Sequence, residues 1–440
     1  MHEHRSRASE LKPKNSMEKL LSVFSDVRSG ESAGALLLMV AVFLLLASYY
    51  LLKPVREALI LTESGAEVKS YSSAGQAVLL LGLIPLYGWI ASRVNRARFL
   101  TGLTLFFFVN LILFWFFGVR GFREGVIFYI WLGIFNYFMP SQFWALANDI
   151  YNEEQGKRLF PLIGIGMSLG ALAGASLVSP LIQILQLGPY SLMLIAAFIL
   201  LVSLMLILAV NSLDLRSGTA EAAGRSEQPL GREGGFQLVF RDKYIFWIAG
   251  LIILLNVVNT TGEYILGKFV INEAARAGGD SKIFISQFYG HFYSVVNLVG
   301  LVLQALITSR IFRLIGVRGA LFVLPVLALA SYAILALVPI LFIVRWTKIL
   351  ENSTDYSIMN TVRQALWLPT TREAKYKAKA AVDTFFTRSG DALHAGIVFI
   401  GSSIGLGITG FSWLNVALTV AWIFAARRIF SEHRARTAHQ

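Results

Sequence analysis

The amino-acid sequence predicts an all-α, polytopic membrane protein of twelve transmembrane helices in two pseudo-symmetric six-helix bundles. Three observations predict it. Hydrophobic residues fill 56% of the 440 positions and charged residues only 15%, against about 25% charged residues in a soluble domain, and the mean hydropathy is +0.63. Apolar stretches of about 20 residues, long enough to cross a hydrocarbon layer roughly 30 Å thick, recur along the chain. One long polar interruption divides them evenly.

Residues 1–30 mix Arg5, Arg7, Lys12, Lys14 and Lys19 with Glu3, Glu10 and Glu18, a pattern unlike a cleavable signal or a transit peptide. Met17, Leu20, Leu21, Phe24 and Val27 recur at helical spacing, so this cytoplasmic segment is expected to lie on the membrane as an amphipathic helix. Spans are then expected over 34–52, 71–92, 100–118, 126–147, 159–185 and 188–210, and over 244–262, 284–308, 319–337, 339–360, 380–404 and 407–425. The domains read as an N-terminal bundle (31–210), a cytoplasmic linker (211–243) rich in Gly, Ser, Glu and Arg, a C-terminal bundle (244–426) and a cytoplasmic tail (427–440).

The formal net charge is +13, and its distribution assigns a topology. Of the 39 Lys and Arg residues, 27 fall on the side that holds both termini and eight on the other, where Lys53, Arg56, Lys69 and Lys268 are counted. By the positive-inside rule both termini are cytoplasmic, as expected for a multi-pass protein of a bacterial inner membrane. The basic balance is then topological, and no nucleic-acid partner is expected. The chain has no cysteine, which excludes disulfides, thiolate metal sites and a thiol nucleophile. No cofactor, no metal site and no catalytic constellation is expected, so the protein does not read as an enzyme.

An internal repeat supports the two-bundle reading. Ala91-Ser92-Arg93-Val94-Asn95-Arg96 after the second span is matched by Thr308-Ser309-Arg310-Ile311-Phe312-Arg313 after the eighth, and Lys157 to Gly174 by Lys379 to Gly396. Duplicated six-helix units are how many secondary transporters are built.

A charge at the bilayer centre costs roughly 2.5 to 3.5 kcal/mol on insertion scales, so such residues face a wet cavity or a partner. In span 10, Arg345, Lys348, Asn352, Asp355, Met359 and Arg363 share one helical face with Glu351 beside it. An alternative places 345–366 along the membrane surface. Span 11 carries Asp383, Thr387, Asp391 and His394, with Arg388 at the edge of that stripe. Lys53-Pro54-Val55-Arg56-Glu57 forms a Pro-broken end of span 1, Glu263 and Lys268 take the matching place in the second half, and Asn148 and Asp149 end span 4. The residues expected to contact substrate are Lys53, Arg56, Arg345, Lys348, Arg363, Arg388 and Asn148, because Arg and Lys recognise phosphate and carboxylate groups. Glu57, Asp149, Glu263, Asp355, Asp383 and Asp391 are expected to hold those cations when the site is empty. The expected partners are an anionic small molecule and the lipid bilayer, and the expected oligomeric state is a monomer.

Two alternatives remain open: a proton-coupled carrier with Asp383, Asp391 and His394 as its relay, and a receptor that binds without transporting. Gly262 to Lys268 partly matches a phosphate-binding loop, but Phe269 replaces the metal-binding hydroxyl and no strand precedes it. Gly166, Gly170 and Gly174 mark close helix packing.

Gly88 to Arg98 resembles the short basic loop after the second helix of the major facilitator superfamily, without its acidic residue and second glycine. Further residues resemble the nucleotide (ADP/ATP) exchange transporters of intracellular bacteria and plastids. Lys53 to Thr62 is similar to that family's basic-acid-x-Leu segment, Phe143-Trp144-Ala145-Leu146-Ala147-Asn148 to its Phe-Trp-Gly-Phe-Ala-Asn signature, and Tyr356-Ser357 with Arg363, Pro369, Lys377 to Asp383 and Arg388 to its most distinctive stretch. The resemblance implies the major facilitator fold, antiport of nucleotides, and a substrate role for Arg56. Departures redraw the charge pattern. Family acids in spans 4 and 7 meet Leu132 and Asn259, and family lysines meet Asp355 and Asp391.

Overall fold

A computed structural model describes residues 31–91, 93–94, 96–151, 153–217, 234–371 and 373–438. The amphipathic helix expected at Met17 to Val27 and residues 218–233 of the linker lie outside them. Among the described residues there is no strand, and twelve helical rods follow one another. In the first half these are α1 (Ser32–Glu63), α2 (Gly65–Ala91), α3 (Arg96–Val119), α4 (Gly125–Ile150), α5 (Glu153–Gln183) and α6 (Pro189–Ser217). A short helix (Gly235–Arg241) leads to α7 (Lys243–Ala277) and α8 (Ser281–Val302), which continues through a π-helical turn at Leu303–Ile307 into Thr308–Ala320. Next come α9 (Val323–Leu337) and α10, which is Leu341–Thr354 carried through a π-helical turn at Asp355–Met359 into Asn360–Ala365. The last two are α11, which opens with π-helical turns at Ala374–Ala378 and Val382–Phe386 and continues as Thr387–Ser403, and α12 (Ile408–Ala438). Seven of these helices, namely α1, α3, α5, α6, α7, α8 and α12, are long and apolar enough to span a bilayer by themselves. The others are shorter or less apolar.

Each half has its own apolar core. Leu38, Leu52, Phe107, Phe128 and Phe143 centre the first, and Tyr244, Tyr289, Tyr332 and Trp422 the second. The first core is drawn tight by α5 lying on α1. A Cβ added at Gly166, Gly170 or Gly174 would come within 2.5, 2.2 and 2.3 Å of the carbonyl oxygens of Met39, Phe43 and Ala47, so only glycine permits this approach. Leu314, Phe198, Ile127 and Ile400 point outward, each more than 60% exposed. That apolar outer surface fits lipid. The halves meet where α8 packs on α5 and α1, and α11 on α2.

Helix boundaries differ from expectation at functionally important places. The Lys53–Glu57 segment is not a broken helix end: α1 runs unbroken through Pro54 to Glu63. Proline removes one backbone hydrogen bond, which a helix packed on all sides tolerates. A tight turn at Gly65 (φ 85°) starts α2 earlier than expected, so Lys69 lies within a helix and not in an outer loop. Thr308 to Arg313, expected as a loop, is helical up to a break at Gly316 (φ 67°). Span 10 is packed within the bundle and does not lie on the surface, since Lys348, Glu351 and Asn352 are at most 2% exposed.

Candidate functional site

A cavity of about 160 Å³ lies between the two halves. From the first half it is lined by Lys53, Arg56 and Glu57 of α1, Lys69, Ser70 and Ser73 of α2, and Tyr129 of α4. Lys53 and Arg56 share a face because three residues make almost one helical turn, and Lys69, Ser70 and Ser73 repeat that spacing. The second half supplies Asn259, Thr260, Glu263 and Tyr264 of α7, Tyr293 of α8, Asn352 and Tyr356 of α10, and His394 of α11. Tyr356 also lines a vestibule of about 490 Å³ that includes Tyr50, Asn297, Gln304, Asn360 and Arg363.

The charges are arranged unequally. Glu57, fully buried, is ion-paired to Arg56 and, at 2.6 Å, to Lys69. Arg56 also lies over the Tyr129 ring, 4.6 Å from its centroid. Lys53 is only 8% exposed and, among the described residues, no carboxylate or hydrogen-bond acceptor holds it. Its ammonium rests on the faces of Tyr293 (3.9 Å) and Tyr50 (5.2 Å). Opposite, the amide of Asn352 donates to Glu263 at 2.9 Å, and Lys348 stands behind with its Nζ 3.8 Å from Glu263. Lys348 donates to Glu351 at 2.9 Å and to both the carbonyl and the Oδ1 of Asn259 at 3.0 Å, while Tyr332 donates to Glu351 at 2.6 Å. His394 ties the halves together. Its ring nitrogens lie 3.0 Å from Ser70 Oγ of α2 and 3.1 Å from Thr261 Oγ1 of α7.

The residues expected from the sequence separate into three groups. Lys53, Arg56, Glu57 and Glu263 line the cavity. Lys348 and Arg363 stand one layer away, the first behind Asn259 and Glu263, the second in the vestibule with Asp355 at 3.4 Å. The remainder do not reach the lining. Arg345 packs on the Phe288 ring at 5.5 Å, Arg388 pairs with Asp391 at 3.1 Å, and Asp391 also accepts from Asn256 at 3.0 Å. Asp383 pairs with Lys379 at 2.5 Å and is exposed, and Asn148 and Asp149 are exposed at the end of α4. The single face expected on α10 is therefore divided by its neighbours: α7 and α9 cover Lys348, and α8 covers Arg345. The Asp383–Asp391–His394 relay is likewise not assembled. Sequence reasoning missed Lys69, Tyr129, Tyr293 and Asn259 as lining residues.

One end of the interface is bolted. Lys268 of α7 bonds Glu67 of α2 at 2.6 Å and Tyr264 donates to the same oxygen at 2.9 Å. Lys282 of α8 bonds Glu63 of α1 at 2.7 Å and Tyr190 of α6 at 2.9 Å. The other carboxylate oxygen of Glu63 accepts from the backbone N–H groups of Glu124 and Gly125, at 2.8 and 2.7 Å, capping α4.

Comparisons agree with this architecture. The family model described as TLC ATP/ADP transporter matches residues 124–433. The chain is 23% identical over 349 residues to ADP,ATP carrier protein 1 of Chlamydia pneumoniae, covering 68% of this chain and 65% of that one. It is 24% identical over 321 residues to ADP,ATP carrier protein 3 of Rickettsia felis, covering 64% and 63%. The chain thus spans a little under two thirds of the length of these relatives. ADP,ATP carrier protein 2 of Chlamydia pneumoniae aligns across 98% of the chain and 94% of its own length at 20% identity. Solved structures share the fold. A bacterial homologue of the iron transporter ferroportin in an inward-facing state superposes with a TM-score of 0.64 at 14% identity, covering 91% and 98% of the two chains. The nucleoside transporter NupG gives 0.61 at 14% identity, covering 90% and 98%. The twelve rods adopt the major facilitator arrangement, and with most of its length matched the chain belongs to the TLC ATP/ADP transporter family.

Proposed function

We propose that this protein is a secondary transporter, not an enzyme, that exchanges anionic phosphorylated metabolites, nucleotides of the ATP/ADP type first among them, by alternating access. One observation carries the reading: Lys53 is a buried lysine with no carboxylate within ion-pair distance among the described residues, facing a cavity where the two halves meet. An unpaired buried charge is costly and is kept where a ligand supplies its partner. A phosphate group meeting Lys53 competes with Glu57 for Arg56 and Lys69, whose guanidinium and ammonium groups suit its oxygens. Freed, Glu57 loses both partners, and the balance between the bolted state and its opposite shifts. Arg363, in the vestibule, is the entry contact, and Lys348 positions Glu263 and Asn259.

The moving bodies are residues 31–210 and 244–426, with 211–243 as their connection. The excess of basic residues supports a cytoplasmic position for both termini in a bacterial inner membrane, with the bolted end facing outward. One chain holds the whole cavity, which supports a monomer. The test is reconstitution in sealed vesicles loaded with ADP. Labelled external nucleotide should enter in exchange, in preference to sugar phosphates and organic acids, and without sensitivity to an uncoupler. Uptake that collapses with the uncoupler favours the proton-coupled alternative, and binding without uptake favours a receptor.

A further inference from the structure

At the end that carries both termini, the short helix Gly235–Arg241, the start of α7 and the end of α12 frame a second cavity. It measures about 520 Å³ and is lined by Phe240, Lys243, Phe246, Trp247, Arg428 and Glu432. None of these residues lines the central cavity or its vestibule. We infer that this cavity binds the headgroup of an anionic phospholipid from the surrounding leaflet.

Charge argues for it first. Three basic side chains nearby are matched within the protein: Arg436 with Asp242 at 2.5 Å, Lys377 with Glu373 at 3.0 Å and Lys379 with Asp383 at 2.5 Å; Arg427 and Lys375, outside the cavity, are exposed to solvent. Lys243 and Arg428 have no carboxylate within ion-pair distance among the described residues, although both line the cavity. The guanidinium of Arg428 rests on the Phe424 ring at 4.9 Å, which leaves its edge free to donate. Glu432, on the same wall, is too far from either to neutralise it by direct contact.

The walls argue for a lipid over a free anion. Phe240 and Phe246 are 65% and 45% exposed, with ring centroids 6.3 Å apart, and Trp247 packs edge-on against Phe424 at 5.9 Å. Aromatic rings of this kind occupy the level where headgroups meet acyl chains, and Lys243 begins the apolar run of α7. A phosphodiester between Lys243 and Arg428 would leave its acyl chains along the exposed phenylalanines. Basic pockets between helices at this level are where anionic headgroups are held.

The test uses the full chain, purified in detergent and freed of lipid, with binding of phosphatidylglycerol, phosphatidylcholine and inorganic phosphate followed by native mass spectrometry. Phosphatidylglycerol should be retained and phosphatidylcholine not. Lys243→Gln and Arg428→Gln should each weaken retention about fivefold, while Glu432→Gln, which removes the opposing charge, should strengthen it. Equal retention of both lipids, or phosphatidylglycerol held equally by the wild type and the double variant, overturns the proposal. Inorganic phosphate bound as well as the lipid overturns the assignment to lipid. If the double variant does not fold, Glu432→Gln decides alone, and retention no stronger than wild type sinks the idea.

Discussion

The two halves present unlike faces to the same cavity. In the first half, Lys53, Arg56, Glu57 and Lys69 are all in the lining; Arg56 and Lys69 share the Glu57 carboxylate, and Lys53 has no carboxylate within ion-pair distance among the described residues. In the second half the cations are spent locally. Lys348 is closed over Glu351, Arg363 over Asp355 and Arg388 over Asp391, leaving Glu263 and neutral amides, hydroxyls and rings to face the cavity. Position in the bundle therefore gives residues of one type different surroundings: Lys53 has no ion-pair partner among the described residues, and Lys348 has a buried one.

The largest difference is expected between substitutions of these two lysines. Lys348→Met leaves Glu351, only 2% exposed, without its cation, and should destabilise the protein by about 3–5 kcal/mol, read as a large fall in melting temperature. Adding Glu351→Gln should recover part of it. Lys53→Gln should do the reverse, keeping the melting temperature while weakening anion binding at least tenfold, the scale of a charged hydrogen bond worth roughly 1.5–3 kcal/mol. Equal thermal losses in both variants would erase the distinction.

The bolted end gives a smaller effect. Lys268 and Glu67 are about one third exposed, so Lys268→Gln should shift the conformational balance by about fivefold at most. Because the chain has no cysteine, Ser73→Cys offers a single reporter in the cavity, and its labelling rate by an impermeant thiol reagent should rise in the Lys268→Gln background.

The smallest expected effect concerns Glu124, in the turn before α4. Burial first, and the charge of Glu63 second, raise its carboxyl from 4.5 to about 7. A carboxyl raised on folding favours the folded state while it is protonated, so its contribution is full below pH 4.5, falls as pH rises to about 7 and is flat above. Glu124→Gln should remove that part of the pH dependence from melting curves recorded between pH 5 and 8.

Much of this was legible in the sequence. Apolar length and the even split by the linker predicted the twelve rods, and the paired glycines of α5 predicted its close approach to a neighbour. Lys53, Arg56, Glu57 and Glu263 stood out because ionised groups at membrane depth demand an explanation. Lys69 did not, because a positive φ at Gly65 shortens the turn and extends α2 upward, which hydropathy does not report. Tyr129 and Tyr293 were hidden for another reason: an aromatic ring counts as apolar in a window average, and only a cation found above its face reveals it. The stripe on α10 was a true helical face, but periodicity names the face and not the neighbour.

The π-helical turns of α8, α10 and α11 have a mechanical consequence. Each stores one surplus residue in an otherwise regular rod, and among the described residues all four lie in the second half. Sliding such a surplus along a rod by one position rotates the segment it passes by about 100°, with the backbone hydrogen bonds handed on rather than lost. The half with its charges tied up thus holds four places where a rod can turn its side chains, and the described residues of the glycine-seamed half hold none.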